Sequence, residues 1–134
     1  MRKWLIVFIV GALAIAARQN SPSAPQPLPL PVYNILRDSC TQIDVVFSAG
    51  TSMSLEGRNV VMFSSFVDWH PAPLSKAPQV GFLMWQRNGR EFLTGQLYIT
   101  SDSSGYLLFH MGKQQFVNRL TAQGAGFLKK QAKQ

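Results

Sequence analysis

Cysteine is almost absent from the 134-residue sequence, since Cys40 is the only one. An intrachain disulfide is therefore excluded, and with it the secreted scaffolds that depend on such bridges. Cys40 is either a small buried hydrophobic residue or an exposed thiol that forms an intermolecular disulfide in an oxidising compartment. The chain length allows one domain with a modest hydrophobic core.

Residues that carry catalysis are also scarce. The sequence has two histidines, His70 and His110, and it lacks a nucleophile-elbow glycine pattern, a histidine pair at i and i+4, and closely spaced carboxylates. His110 alternates with Tyr106 and Leu108 as a half-buried strand residue would, and His70 before Pro71 is predicted to lie in a loop. We therefore expect no catalytic residues, no metal site and no cofactor.

Charge is missing from residues 4–17, which follow two basic residues and end at Arg18. As a helix this run would cover about 21 Å of a bilayer core about 30 Å thick, a length typical of a signal peptide. Ala14 and Ala16 supply the small-residue pattern that signal peptidase reads. Residues 1–17 are therefore either a cleaved signal peptide or a retained N-terminal anchor. Both alternatives predict export to the periplasm or cell envelope.

Proline is concentrated between residues 18 and 31, where five prolines stand at near-alternate positions. Such density excludes a helix or a central strand and favours extended polyproline II. We expect residues 18–31 to be a semi-rigid linker, followed by a single exported domain over residues 32–134.

The domain is predicted to be α+β and mostly β. Apolar, β-branched runs predict strands near residues 43–48 and 59–67, and residues 79–112 predict a three-stranded antiparallel meander. Asn88-Gly89 suits a type I′ turn in that meander. Helical spacing indicates a short helix within residues 32–40 and an amphipathic, basic C-terminal helix over residues 113–130. The intervening stretch, residues 48–59, is predicted to be a turn or hairpin end.

Within the meander, the middle strand gives the clearest alternation. Leu93, Leu97 and Ile99 share a face with Gly95, so this face is predicted to pack on the core. Gly95 is expected to mark a bulge or a close approach of another element. Trp85 and Tyr98 are candidates for a cross-strand aromatic pair.

Positive charge is concentrated at the C-terminus. Residues 18–112 contain six basic and six acidic residues, whereas residues 113–134 contain five basic residues and no acidic one. The basic segment is interpreted as a solvated helix docked on the sheet, as a contact for anionic lipid headgroups, or as a contact for an acidic partner. Nucleic acid is not an expected partner, because the basic excess is confined to a tail.

These features together predict a non-enzymatic exported envelope protein. It would act as an interaction or assembly component of a membrane-associated apparatus of the secretion, conjugation, pilus or phage-entry type, with other envelope proteins as partners. The alternatives are a periplasmic binding or inhibitor module for a soluble target and, less favoured, a small hydrolase. Predicted contacts are the exposed edge of the meander and the following residues: Trp69, Trp85, Tyr98, Lys113, Arg119, Lys129, Lys130 and Lys133.

Overall fold

Six strands and three helices make up the part of the chain that the computed structural model describes, residues 25–72, 77–102 and 104–132. In chain order they are α1 (Leu30–Asp38), β1 (Gln42–Phe47), β2 (Ser52–Glu56), α2 (Arg58–Ser64), β3 (Gln79–Arg87), β4 (Arg90–Ile99), β5 (Gly105–Met111), β6 (Gln114–Arg119) and α3 (Ala122–Ala132). The predicted signal peptide or anchor lies outside the described residues.

The strands form one antiparallel sheet in the order β2-β1-β3-β4-β5-β6. Alternate residues of the strands are buried on one face, where they form a single core cluster with residues from all three helices. Leu36 of α1, Phe63 of α2 and Leu128 of α3 are each at most 1% exposed in this cluster. The predicted α+β, mostly β class with a C-terminal helix is confirmed.

The meander also forms as predicted. Asn88 and Gly89 have φ angles of 52° and 78° between β3 and β4, as a type I′ turn requires. Gly95 of β4 lies over a phenyl ring, because a Cβ atom placed on it would be 2.7 Å from Cε1 of Phe109. Gly95 therefore marks a close approach of a neighbouring strand, one of its two predicted roles.

The predicted aromatic pair between Trp85 and Tyr98 does not form. Trp85 lies opposite Leu93 and packs on Phe109, with ring centroids 5.9 Å apart. Tyr98 lies opposite Tyr106, and these two rings stack with centroids 4.9 Å apart. The pair fails because Trp85 and Tyr98 face opposite sides of the sheet and stand at opposite ends of the β3–β4 hairpin.

Two of the predicted elements are wrong. Residues 59–67 were expected to be a strand, but most of them form α2, which buries Val60 and Phe63 three positions apart. The tail from residue 113 was expected to be one helix, but its first part is β6 and the helix α3 begins at Ala122. The segment is a strand because its backbone pairs with β5 from Gln114 to Arg119.

The start of the domain also differs from the predicted boundary at residue 32. The carbonyl oxygen of Gln26 accepts a hydrogen bond from the amide of Val117 at 2.8 Å. Leu28 is fully buried, and its amide donates to Oδ1 of Asn118 at 2.9 Å. The last residues of the predicted linker are thus docked on β6, and the folded domain already includes Gln26.

A second, smaller apolar cluster lies on the opposite face of the sheet, at the β4–β6 end. It joins Tyr106 and Val117 with Ala72 and Ala77 from the connection between α2 and β3. The connection between α2 and β3, as far as it is described, therefore covers part of this face.

Candidate interaction surface

The predicted aromatic contacts divide between surface and core. Trp69 is 41% exposed, and its Nε1 donates to the carbonyl oxygen of Leu28 at 2.8 Å. Trp85 has no exposed surface, and its Nε1 donates to Oγ of Ser64 at 3.1 Å. Tyr98 is partly buried against its neighbour Tyr106. Trp85 is thus a core residue and cannot contact a partner of the folded chain, contrary to its predicted role.

The predicted basic contacts do not form one patch. Lys113 is exposed in the β5–β6 turn, whereas Arg119 stands at the other end of β6, about 20 Å along the strand. Lys129 donates to the carbonyl oxygen of Ser101 at 2.9 Å, and Lys130 is exposed on α3. Lys133 lies outside the described residues. The tail charge is distributed over different elements.

Cys40 is buried at the end of α1, in the core cluster. Burial raises the pKa of its thiol to about 11. A buried thiol that is neutral near pH 7 is poorly reactive, because the thiolate is the nucleophile. Of the two predicted roles, the structure favours the small buried hydrophobic residue over the intermolecular disulfide.

His70 belongs to a small charged cluster beside β6. Its Nδ1 lies 2.6 Å from Oδ1 of Asp68, while Arg119 donates to Oδ2 of the same carboxylate at 2.7 Å. These hydrogen bonds, that of Arg119 first, hold the pKa of Asp68 below its ordinary value. A carboxylate in this position orients a histidine base in some hydrolases. Among the described residues, however, no hydroxyl or thiol is hydrogen-bonded to His70.

The backbone next to this cluster covers the β6 edge. The amide of Asp68 donates to the carbonyl oxygen of Arg119 at 2.7 Å, and the amide of Arg119 donates to that of His70 at 2.8 Å. With the bond from Val117 to Gln26, these contacts occupy much of the outward-facing backbone of β6. This edge is therefore largely closed to further pairing.

The predicted exposed edge of the meander does not exist. β3 pairs with β1, and β5 pairs with β6, so both sides of the meander are occupied. The terminal strands of the sheet are β2 and β6. Because β6 is covered, β2 is the edge that remains open among the described residues.

The open edge of β2 presents a regular row of backbone groups. The amide of Phe47 donates to the carbonyl oxygen of Thr51 at 2.8 Å across the hairpin. Hydrogen-bonded pairs alternate along an antiparallel ladder, so the N–H and C=O groups of Ser52, Ser54 and Glu56 point away from β1. All three residues are exposed, and no described element pairs with their backbone.

A carboxylate fixes β2 against its neighbour. Asp44 of β1 accepts hydrogen bonds from Oγ of Ser54 at 2.6 Å and from Nε2 of Gln42 at 2.8 Å, and a further one from Gln86 of β3. These bonds, that of Ser54 first, lower the pKa of Asp44, so it is ionised at neutral pH. Side-chain hydrogen bonds thus hold β2 against β1 in addition to the backbone pairing.

No described helix covers the sheet face beside this edge. Val46, Phe82 and Met84 are partly exposed there, and all three helices lie on the other face. On the helix side, α2 packs beside β2 and exposes Val61 and Met62, at 53% and 56%. Partly exposed apolar side chains therefore flank the β2 edge on both sides.

Sequence reasoning missed this edge, although one signal was present. Residues 52–56, Ser-Met-Ser-Leu-Glu, alternate polar and apolar as a half-buried strand does. The glycines and serines around them favoured a turn instead. That β2 is an edge depends on the strand order, which the alternation does not contain.

Within residues 25–72, 77–102 and 104–132, no helix has the length and apolar character needed to span a bilayer. The same residues contain no group of three or more His, Cys, Asp or Glu side chains that could hold a metal ion. No protein-family model, curated protein or solved structure matches the chain.

Proposed function

We propose that the protein is a non-enzymatic, exported component of a membrane-associated assembly, and that it binds another protein chain through the open edge of β2. The observation that carries this binding role is the row of outward backbone groups on Ser52, Ser54 and Glu56, with which no described residue pairs. An extended partner strand would satisfy these groups and would also contact the apolar side chains that flank the edge.

The position of the edge supports this role. The chain joins the domain next to β6, where Gln26 is hydrogen-bonded to Val117. β2 is at the other side of the six-stranded sheet, about 24 Å away across five strand spacings. A linker that holds the domain from the β6 side would leave the β2 edge accessible to a partner.

The proposed location comes from the N-terminal sequence. The uncharged run over residues 4–17, its basic flank and the prolines that follow are typical of an exported chain with a spacer. N-terminal sequencing of the protein isolated from membrane and soluble fractions tests this part. A chain that begins near residue 17 or 18, or an intact chain in the membrane fraction, is expected. An intact Met1 in cytosolic protein would contradict export.

Site-specific photocrosslinking tests the binding edge. A benzophenone amino acid in place of Ser54 is expected to give a crosslinked adduct in intact cells, because this side chain stands on the exposed edge strand. The matched control places the same group at Gln123, which is exposed on α3. Adducts of equal yield from both positions, or none from position 54 in a folded chain, would contradict the proposed edge.

A proline substitution gives a second, independent test. The amide of Ser54 points away from β1, so Ser54→Pro removes an outward N–H group and leaves the β1–β2 ladder in place. Ser54→Ala keeps this N–H group and removes only the hydroxyl that donates to Asp44. We expect the Ser54→Pro variant to lose its partner and the Ser54→Ala variant to keep it, with both monomers folded by circular dichroism.

A further inference from the structure

We propose that the partner strand at this edge is the β2 strand of a second copy of the chain, paired antiparallel about a two-fold axis at Ser54. This inference rests on the proposed binding role of the β2 edge and names its occupant. The result would be a symmetric dimer with a continuous twelve-stranded sheet.

The residues of β2 are self-complementary in this register. Ser54 lies opposite Ser54 of the second copy, and Met53 lies opposite Leu55, so apolar side chains meet on the helix side of the sheet. On the open face, Glu56 lies opposite Ser52. A carboxylate therefore faces a hydroxyl, and the two Glu56 side chains are separated by about 14 Å along the strands.

The backbone fits the same register. Ser52, Ser54 and Glu56 are the residues whose N–H and C=O groups point outward. Pairing about Ser54 aligns Ser54 with Ser54 and Ser52 with Glu56, so every outward group faces an outward group. The two strands can then form six backbone hydrogen bonds, as a regular antiparallel ladder does.

As far as the chain is described, the edge carries few of the features that prevent such pairing. Natural edge strands are protected by short length, by proline, by charged side chains and above all lysine, by bulges or by a covering segment. β2 contains no proline and no lysine, and its register with β1 is uninterrupted from Ser52 to Glu56. Its one charged side chain, Glu56, lies opposite a serine in the proposed pairing. β6, by contrast, is covered by the backbone of residues 26 and 68–70.

The two-fold axis would be perpendicular to the sheet, so both copies would keep their helices on the same side. Their open faces would join into one surface that includes Val46, Phe82 and Met84 of each copy. The two β6 edges, where the linkers join, would be about 50 Å apart at the ends of the sheet.

Cysteine scanning of β2 tests both the pairing and its register. Each variant is made in the full chain with Cys40→Ala, expressed in cells, oxidised with copper(II) phenanthroline and analysed on a non-reducing gel. In the proposed register, the Cα atoms of residue 54 in the two copies are about 5.5 Å apart, within the range for a disulfide. Ser54→Cys is therefore expected to give a covalent dimer.

Ser52→Cys and Glu56→Cys are the matched controls. Alone, each places its two thiols about 14 Å apart, too far for a disulfide, so both variants are expected to remain monomeric. When differently tagged copies of Ser52→Cys and Glu56→Cys are co-expressed, the thiols face each other, and a mixed dimer is expected. This pattern is specific to antiparallel pairing about Ser54.

Two results would overturn the proposal: a Ser54→Cys variant that stays monomeric although maleimide labels its thiol, or equal dimer formation by Ser52→Cys alone. The mass of the photocrosslinked adduct at position 54 separates this failure from that of the proposed function. An adduct with a different protein would leave the binding edge intact and replace only its occupant, whereas the absence of any adduct would remove both.

Discussion

Replacing Gly95 with alanine is expected to destabilise the domain, because the new methyl group has no space. Its carbon would lie 2.7 Å from Cε1 of Phe109 and 3.1 Å from two further ring carbons. Carbon atoms in ordinary contact are about 3.5–4.0 Å apart, so the ring must shift by roughly 1 Å. Phe109 is fully buried and packs on Trp85, which leaves it little freedom to move.

The size of the effect follows from two opposing contributions. Overpacking a buried site costs about 1–3 kcal/mol. Replacing glycine restricts the unfolded chain and recovers about 0.4–1 kcal/mol. We therefore expect Gly95→Ala to lower the free energy of unfolding by about 1–2 kcal/mol. Each kcal/mol corresponds to a decrease in Tm of about 4–8 °C for a domain of this size.

A double-mutant cycle with Phe109→Leu identifies the cause. Phe109→Leu alone is destabilising because it leaves a cavity, but it also creates room next to Gly95. In that background, Gly95→Ala is expected to be neutral or slightly stabilising, which gives a coupling energy of about 1–3 kcal/mol. Urea unfolding followed by tryptophan fluorescence measures all four proteins.

Gly126→Ala is the matched control. It adds the same methyl group in α3 at a position where nothing lies within 4 Å. Alanine is favoured over glycine in a helix by about 1 kcal/mol, so this variant is expected to be more stable than the parent chain. A Gly95→Ala variant as stable as the parent chain, or one whose cost is the same with leucine at position 109, would refute a clash with Phe109.

Three further predictions concern other parts of the domain. Asn118→Ala leaves the buried amide of Leu28 without an acceptor and is expected to cost about 1–3 kcal/mol in urea unfolding and to expose the docked N-terminal segment to proteolysis. Cys40, with a pKa of about 11 in place of 9.0, is expected to react with Ellman's reagent at pH 8 at least about 100-fold more slowly than in the urea-unfolded chain. Asp68 has a lowered pKa in the folded chain, so its stabilising contribution is present above about pH 4 and is lost as the pH falls through the folded value. Asp68→Asn is therefore expected to flatten the decrease in Tm below about pH 4, and an unchanged slope would contradict the role given to its bonds with Arg119 and His70.

The meander could be predicted because its signals are local. Asn88-Gly89 determines the turn, and the alternation around Gly95 determines which face of β4 is buried. The α1 helix was similarly readable from its spacing. In these segments the backbone preference and the tertiary environment favour the same structure.

The missed elements are those whose structure depends on distant neighbours. Phe116 and Val117 fit a helical stripe when Leu120 is included, but in β6 they face opposite sides of the sheet, and each joins a different apolar cluster. Val60 and Val61 favour a strand by propensity, yet α2 forms because Val60 and Phe63 pack into the core. Local sequence does not determine which of these environments is available.

The type of candidate site, an exposed strand edge, could be predicted from the sequence, but its position in the sheet could not. The expectation of an exposed strand edge came from the meander, whose edges are both paired. The open edge belongs to β2, because β1 is inserted between β2 and β3 and the covering segments lie at β6. Strand order is a property of the whole chain, so no pattern within residues 52–56 could identify the edge.

The hydrogen bond between Leu28 and Asn118 joins residues that are 90 positions apart. During synthesis from the N-terminus, the start of the domain must therefore wait for β6 before it can be sealed, while the central hairpins can already form. Closure of the domain therefore requires nearly all of the chain, because this long-range contact forms late. In a chain that ends before Val117, residues 26–28 have no strand to dock on, and chaperones could bind them.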